Sequence, residues 1–126
     1  MHRFTRVLLS FVFGLGCLNS PMLAQPRSDK PIKLMVPFTP GGGTDILARM
    51  LAPKLTEKLG VSVLVENMPG AAGAIAAQHT ARAEPDGSTL MVGSTSEIGI
   101  NPSLYPKLPY NVARDFAPVT PLAFTS

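Results

Sequence analysis

Apolar stretches alternate with polar, glycine-rich segments along this chain, and the pattern predicts strands alternating with helices. Three short apolar runs, over residues 32–36, 61–65 and 89–93, are typical of buried strands. Between them, apolar positions recur at helical spacing over residues 45–59, and an alanine-rich segment over 73–83 predicts a second helix with a thin face. The order β-α-β-α-β predicts an α/β fold with a parallel sheet and right-handed crossovers. A further apolar run, 117–124, predicts a fourth strand, although two prolines interrupt it.

Local signals set the expected element boundaries. Thr44 is the predicted N-cap of the first helix, and Gly60 is its predicted C-cap. Pro53 falls inside this helix and predicts a kink or a restart, because proline removes a helical hydrogen bond. The Pro-Gly pair ending at Gly70 predicts a type II turn. Asn101, followed by a proline, is the predicted N-cap of a short helical turn.

The glycine-rich loop after the first strand is the strongest candidate for chemistry. Three consecutive glycines lead into a helix start, where unpaired N–H groups and the helix dipole favour an anion. Asp45 is placed to pair with Arg49 one helical turn later. The loop is neither a P-loop, since no lysine follows the glycines, nor a dinucleotide fingerprint, since Ile46 replaces the third glycine. A plain strand-to-helix connector remains the alternative.

Two further loops are expected at the same edge of the sheet, because ligands of parallel sheets gather at the carboxyl ends of the strands. One offers a glycine-lined turn before the second helix, and the other offers the hydroxyls of residues 94–96. The predicted ligand-binding residues of all three loops are Phe38, Pro40, Gly41, Gly42, Gly43, Thr44, Asp45, Gly70, Ala71, Gly73 and Ser94.

No catalytic or metal-binding apparatus is visible in the sequence. Residues 93–97 do not form a nucleophile elbow, because Glu97 stands where the final glycine belongs. No His/Cys/Asp cluster has metal-ligand spacing, and His79 is expected on the exposed side of the second helix. Basic residues are scattered, and the formal net charge is only +3, so we expect neither a nucleic-acid partner nor a cofactor.

The N-terminus has the order of a secretory signal peptide. Arg3 and Arg6 precede twelve uncharged residues, and Ser20, Pro21 and the small residue Ala24 follow. We therefore expect a leader over residues 1–24, a flexible lead-in over 25–30 and a periplasmic location. Lipidation at Cys17, the only cysteine, is the less favoured alternative.

Several landmarks in order resemble the Bug family, the substrate-binding proteins of tripartite tricarboxylate transporters. The matching segments are Lys30-Pro31-Ile32, Val36-Pro37-Phe38, Pro40–Asp45, Val65-Glu66-Asn67, Pro69-Gly70-Ala71, Pro85-Asp86-Gly87, Asn101–Tyr105, Leu108-Pro109-Tyr110 and Asp115–Pro118. The resemblance implies a type II periplasmic-binding-protein fold, with two lobes that close over a small carboxylated solute. Such a solute would be a di- or tricarboxylate, an amino acid or an aromatic acid.

The resemblance also implies a membrane permease as partner, no enzymatic activity and a ligand carboxylate held by the first two loops. Residues 31–126 are then expected to form only part of the N-terminal lobe, so the chain is expected to be truncated. Two alternatives stay open at this point. One is a small exported α/β enzyme acting on a carboxylated or phosphorylated substrate near residues 94–96, and the other is a non-functional remnant.

Overall fold

A computed structural model describes residues 30–124 of the 126-residue chain. Its strands are β1 (Ile32–Val36), β2 (Val63–Asn67) and β3 (Thr89–Met91), and its α-helices are α1 (Gly43–Leu59), α2 (Ala74–Arg82), α3 (Asn101–Leu104) and α4 (Val112–Asp115). The predicted β-α-β-α-β order is confirmed. The expected leader, Cys17 and nearly all of the lead-in lie outside the described residues.

The three strands form one parallel sheet in the order β2-β1-β3. In the register, Ile32 pairs with Val63 and Val36 with Asn67, while Leu34 pairs with Leu90 on the other side. Because all three strands run the same way, the loops that follow them leave from one edge of the sheet. The central position of β1 places the glycine loop between the other two loops.

Helices cover both faces of the sheet, which explains why β1 is apolar at every position except Lys33. Leu34 and Val36 pack with Ala48 and Ala52 of α1 in the main core cluster. Met35, whose side chain points the other way along the strand, is also completely buried. On the second face, Ala74 and Ala77 of α2 pack near Tyr110 and Met91. The thin alanine face predicted for the second helix is therefore the face that packs against the sheet.

Helix α1 differs from its prediction at its start and in its buried stripe. It begins at Gly43 with Gly42 as N-cap, so the predicted Thr44 cap is wrong, and no side chain caps the helix. The most buried positions are Asp45, Ala48 and Ala52, while Ile46 and Met50 of the predicted apolar stripe are more than half exposed. Alanines face the sheet because their small side chains let the helix approach it closely.

The end of α1 agrees better with the sequence. The helix runs through Pro53 as one element, so the predicted alternative of a restart is wrong. Gly60 has a left-handed conformation, with φ of 72°, and its N–H donates to Thr56 O at 2.9 Å. Gly60 is therefore the C-cap that the sequence predicts.

Strand β2 lies two residues later than predicted, because the parallel register decides its position. The Ile32 N–H donates to Ser62 O, and pairing with β1 then starts at Val63. This register buries Val63 and turns Val65 towards the same core cluster. It also brings Asn67 to the last position of the strand, at the edge where the loops gather.

The second loop does not form the predicted type II turn. Gly70 has φ of 133° and ψ of 153°, far from the values of that turn, and a 3₁₀ turn follows over Ala71–Gly73. The Gly73 N–H donates to Gly70 O at 2.9 Å and closes this turn. Helix α2 then begins at Ala74, close to its predicted start, and His79 is exposed as expected.

Beyond β3 the chain forms short helices and no further strand among the described residues. A π-helical segment (Ser96–Ile100) runs directly into α3, so Asn101 is not the predicted N-cap. The fourth strand predicted over 117–124 is wrong, since these residues are exposed and irregular. Pro118 and Pro121 lack the N–H groups that a strand ladder needs. Within residues 30–124, no helix is long and apolar enough to cross a membrane.

Candidate functional site

The first loop folds back onto the carboxylate of Asp45, which fixes its shape. Gly41 has φ of 89°, a left-handed conformation, and its N–H donates to Asp45 Oδ2 at 2.8 Å. Gly41 is therefore a glycine that the backbone itself requires. The turn back onto Asp45 leaves the next two glycines exposed at the start of α1.

Asp45 is almost completely buried and accepts hydrogen bonds from three parts of the chain. Arg49 Nε donates to its two oxygens at 2.9 and 3.1 Å, and Asn67 Nδ2 donates to Oδ1 at 2.9 Å. Asn67 Nδ2 also donates to Phe38 O at 3.1 Å, while Arg49 donates to Asn67 Oδ1 at 3.0 Å. This network fastens the first loop to the end of β2.

The same donors keep Asp45 ionised. The Arg49 guanidinium, then the Gly41 N–H and the Asn67 amide, lower the pKa of Asp45 from 3.8 to about 2. The charge of Arg49 is balanced locally by this carboxylate. The positive character of the loop must therefore come from backbone N–H groups and the helix dipole.

Gly42 and Gly43 lie under open space. A Cβ added at Gly43 would have no neighbour within 4 Å, and one at Gly42 would lie 3.7 Å from Thr39 O. Neither has a positive φ, so the fold does not require glycine at these two positions. The first hydrogen bond of α1 runs from Ile46 N to Gly42 O, which leaves the N–H groups of Gly43, Thr44 and Asp45 before the helical ladder.

Two alanines of the second loop have a left-handed backbone conformation that is unfavourable for alanine. Ala71 and Ala72 have φ of 47° and 51°, a conformation that costs L-residues about 1–2 kcal/mol each. Gly70 must be glycine, because its φ is 133° and an added Cβ would lie 2.6 Å from Ile75 Cδ1. Strain of this kind persists only where surrounding contacts hold it.

The third loop supplies those contacts. Asn101, only 2 % exposed, donates from Nδ2 to Ala72 O at 2.8 Å. Glu97 is completely buried, and its Oε2 accepts from the N–H and the hydroxyl of Ser94 at 2.7 and 2.9 Å. The Glu97 side chain lies so close to Gly73 that a Cβ there would overlap Oε1. Ser94 is thus occupied in holding Glu97.

The three predicted loops are therefore joined at one edge of the sheet. Asn67 links the first to the second, and Asn101 and Glu97 link the third to the second. Of the predicted residues, Phe38 packs partly against the core, whereas Pro40 is exposed beside the glycines. That these residues bind a ligand stays a prediction.

Sequence reasoning missed the three polar side chains that join the loops. The sequence presents Asn67 only within a family landmark, Asn101 as a predicted helix cap and Glu97 as a departure from the nucleophile elbow. Asn67 ends strand β2, and that position is the signal by which it could have been found. Glu97 and Asn101 lie in the helical segments beyond β3 and carry no such signal.

The site is an open face and not an enclosed cavity. Two surface concavities, of about 450 and 340 Å³, are lined by residues between 102 and 114 and by residues between 68 and 83. Neither includes the first loop or Gly73. Among residues 30–124, no group of three or more His, Cys, Asp or Glu side chains could hold a metal ion.

Comparison with known proteins identifies the family to which this chain belongs. The family model of the tripartite tricarboxylate transporter family receptor matches residues 47–126. The chain belongs to this receptor family. BugT of Bordetella pertussis is 40 % identical over 121 residues, which cover 95 % of this chain and 37 % of that protein. A UPF0065 protein of the same bacterium is 42 % identical over 93 residues, covering 74 % of this chain and 28 % of its own length.

Solved structures show the same architecture as this receptor-family chain. A periplasmic transporter protein has a TM-score of 0.71 and 48 % identity, over 77 % of this chain and 32 % of its own. MatC of Rhodopseudomonas palustris, solved with bound malate, has a TM-score of 0.70 and 42 % identity, over 74 % and 32 %. A second protein of that organism, solved with adipate, has a TM-score of 0.63 and 38 % identity, over 67 % and 28 %.

The receptor-family chain therefore has the α/β fold of periplasmic binding proteins and covers only part of it. It spans about a third of the length of the relatives and structures that it matches.

Proposed function

We propose that this chain forms part of a solute-binding receptor that captures a small carboxylated solute in the periplasm for uptake. The observation that carries the proposal is the start of α1. Three N–H groups precede its helical ladder, and Gly43, in open space, leaves the approach to the first of them uncovered. A carboxylate is a suitable ligand, because helix N-termini stabilise negative charge and N–H groups bind it directly.

The chemistry of related proteins supports a carboxylate over other anions. MatC was solved with malate and the other Rhodopseudomonas palustris neighbour with adipate, and both ligands are dicarboxylic acids. In this chain, the residues that we assign to the ligand are Gly42, Gly43 and Thr44 of the first loop and Ala71 and Gly73 of the second. Asp45 and Ser94 shape the loops instead, because their polar atoms already bind the chain's own groups.

The open face suggests how this part would work in a complete receptor. A solute resting on these loops would still be exposed on its other side, and a second lobe would enclose it. We infer a membrane permease as the partner that receives the solute, a leader peptide that directs export, and no enzymatic role. The Ser94 hydroxyl donates to the completely buried Glu97 carboxylate, and this engagement supports a structural role for Ser94.

A chimaera tests this function directly. In it, residues 30–118 of this chain replace the aligned part of MatC, and malate binding is measured by calorimetry. We expect one malate per molecule, and we expect Gly43→Val to weaken binding on the order of 100-fold, because lost hydrogen bonds to a charged group cost about 1.5–3 kcal/mol each.

The structure supplies a matched control for this experiment. Gly60→Ala changes a glycine of the same helix at the end remote from the loops, so it should lower stability without changing malate affinity. Gly43→Val should weaken malate binding without lowering stability, because the φ of Gly43 is ordinary and its surroundings are open. Unchanged malate affinity in Gly43→Val would show that the solute does not rest on this helix start.

A further inference from the structure

The second loop adopts a conformation that its own residues do not favour. Ala71 and Ala72 both lie in the left-handed region, with φ of 47° and 51°, and the turn is closed by the Gly73 N–H donating to Gly70 O. Alanine visits this region rarely, because its Cβ approaches the following carbonyl too closely. Two consecutive alanines there require contacts from outside the loop.

Asn101 provides the first of these contacts. It lies 29 positions further along the chain, at the start of α3, and is only 2 % exposed. Its Nδ2 donates to Ala72 O at 2.8 Å, which fixes the carbonyl of the second left-handed residue. The π-helical segment Ser96–Ile100 continues directly into α3, so Asn101 lies within one continuous helical stretch.

Glu97 provides the second contact, through packing. Its Cγ and Cδ both lie 2.7 Å from the position that a Gly73 Cβ would occupy, so the side chain packs against Gly73 at the end of the turn. Glu97 is itself anchored, because Tyr110 donates from its hydroxyl to Glu97 O at 2.8 Å and Ser94 binds Oε2. Its Oε1 has no hydrogen-bond partner among the residues that the structure describes.

We propose that Asn101 and Glu97 are positioning residues that hold the second loop in its left-handed shape before a ligand arrives. Asn101 binds the carbonyl of the strained turn, and Glu97 fills the space beside Gly73 where no side chain fits. The loop is then ordered in advance, so a ligand does not meet the entropic cost of ordering it. The link to affinity rests on the proposed carboxylate-binding function, whereas the conformational claim does not.

Amide hydrogen exchange of the ligand-free chain tests the conformational claim. The Gly73 amide reports the turn, and the Gly60 amide, bound to Thr56 O, reports helix α1. In Asn101→Ala, exchange at Gly73 should rise at least about tenfold, while exchange at Gly60 stays unchanged. Asn111→Ala is the matched control, because Asn111 is exposed and binds only within α4, and it should leave Gly73 protected.

A rescue variant separates positioning from general destabilisation. Because glycine adopts positive φ without the alanine penalty, Ala72→Gly should restore much of the Gly73 protection in the Asn101→Ala background. Failure of Ala72→Gly to restore protection would overturn the claim that Asn101 acts by holding a strained turn.

A measurement on the unmodified chain covers the case in which Asn101→Ala does not fold. The side-chain amide protons of Asn101 should exchange more slowly than those of the exposed Asn111. Equal exchange of the two side chains, or equal acceleration of Gly73 and Gly60 in Asn101→Ala, would overturn the proposal. Because no ligand is present, either failure leaves the carboxylate-binding function to be judged by the malate titration alone.

Discussion

At the scale of single residues, the three consecutive glycines of the first loop have two different roles. Gly41 is required by the backbone, since it turns back to donate its N–H to Asp45. Gly42 and Gly43 are not required by the fold, and their lack of side chains instead leaves backbone N–H groups open. The sequence shows three equivalent glycines, whereas φ angles and neighbouring atoms distinguish them.

Asp45 should make the stability of this loop sensitive to acid. Its pKa is lowered to about 2 in the folded chain, so its contribution to stability is complete above the ordinary pKa of 3.8 and is lost as pH falls towards 2. Asp45→Asn should therefore lower the unfolding free energy at pH 7 and flatten its dependence on pH between about 4 and 2. Urea unfolding across this pH range measures both effects.

Asp86 is the matched control for this experiment. Ser88 and then Lys30 lower its pKa to about 2 as well, but it lies in the exposed turn before β3, away from the first loop. Asp86→Asn should also flatten the acid limb, while leaving the Gly41 amide resonance in place. If Asp45→Asn leaves that resonance unmoved too, the carboxylate does not shape the first loop.

At the scale of elements, the presence of strands and helices could be predicted from the sequence better than the strand register and the conformation of the connecting loops. The apolar runs over 32–36 and 89–93 predict strands, and the structure has β1 over Ile32–Val36 and a shorter β3 over Thr89–Met91. The shift of β2 by two residues could not be predicted, since it depends on which residue meets Ile32 across the sheet. The left-handed turn at Ala71 and Ala72 was equally hidden, because the residues that hold it are 24 or more positions away.

Pro53 carries a testable cost inside α1. It cannot donate to the carbonyl one turn before it, and interior proline disfavours a helix by about 3 kcal/mol relative to alanine. Proline also restricts the unfolded chain, which offsets up to about 1 kcal/mol. Pro53→Ala should therefore raise the unfolding free energy by about 2 kcal/mol in urea titrations. Lys54→Ala, an exposed neighbour, should change it by less than about 0.5 kcal/mol; equal effects would mean that α1 accommodates proline without cost.

At the scale of the whole molecule, the loops form an open wall at one edge of a three-stranded sheet. The chain spans about a third of the length of BugT and MatC, and two concavities on the surface of residues 30–124 lie away from the first loop. Fold class and loop placement could be predicted from the β-α-β-α-β order. The solute could not, because the selective contacts of an enclosed site come from both sides of the ligand.

The openness of the site predicts weak binding by the chain alone. With only one wall, a dicarboxylate keeps much of its water, and the chain should bind malate at least about 100-fold more weakly than the MatC chimaera. Parallel calorimetric titrations measure the difference. Equal affinity of the chain and the chimaera would contradict the need for a second wall.

The most direct test follows the amide resonances of the α1 start while malate is added to the isotope-labelled chain. If the N–H groups of Gly42, Gly43 and Thr44 bind a carboxylate, their resonances should shift downfield in a saturable way. Dimethyl malate, which lacks the negative charges, should leave them in place. The proposal would be contradicted if malate moved other resonances but not these three, or if the uncharged ester moved these three to the same extent.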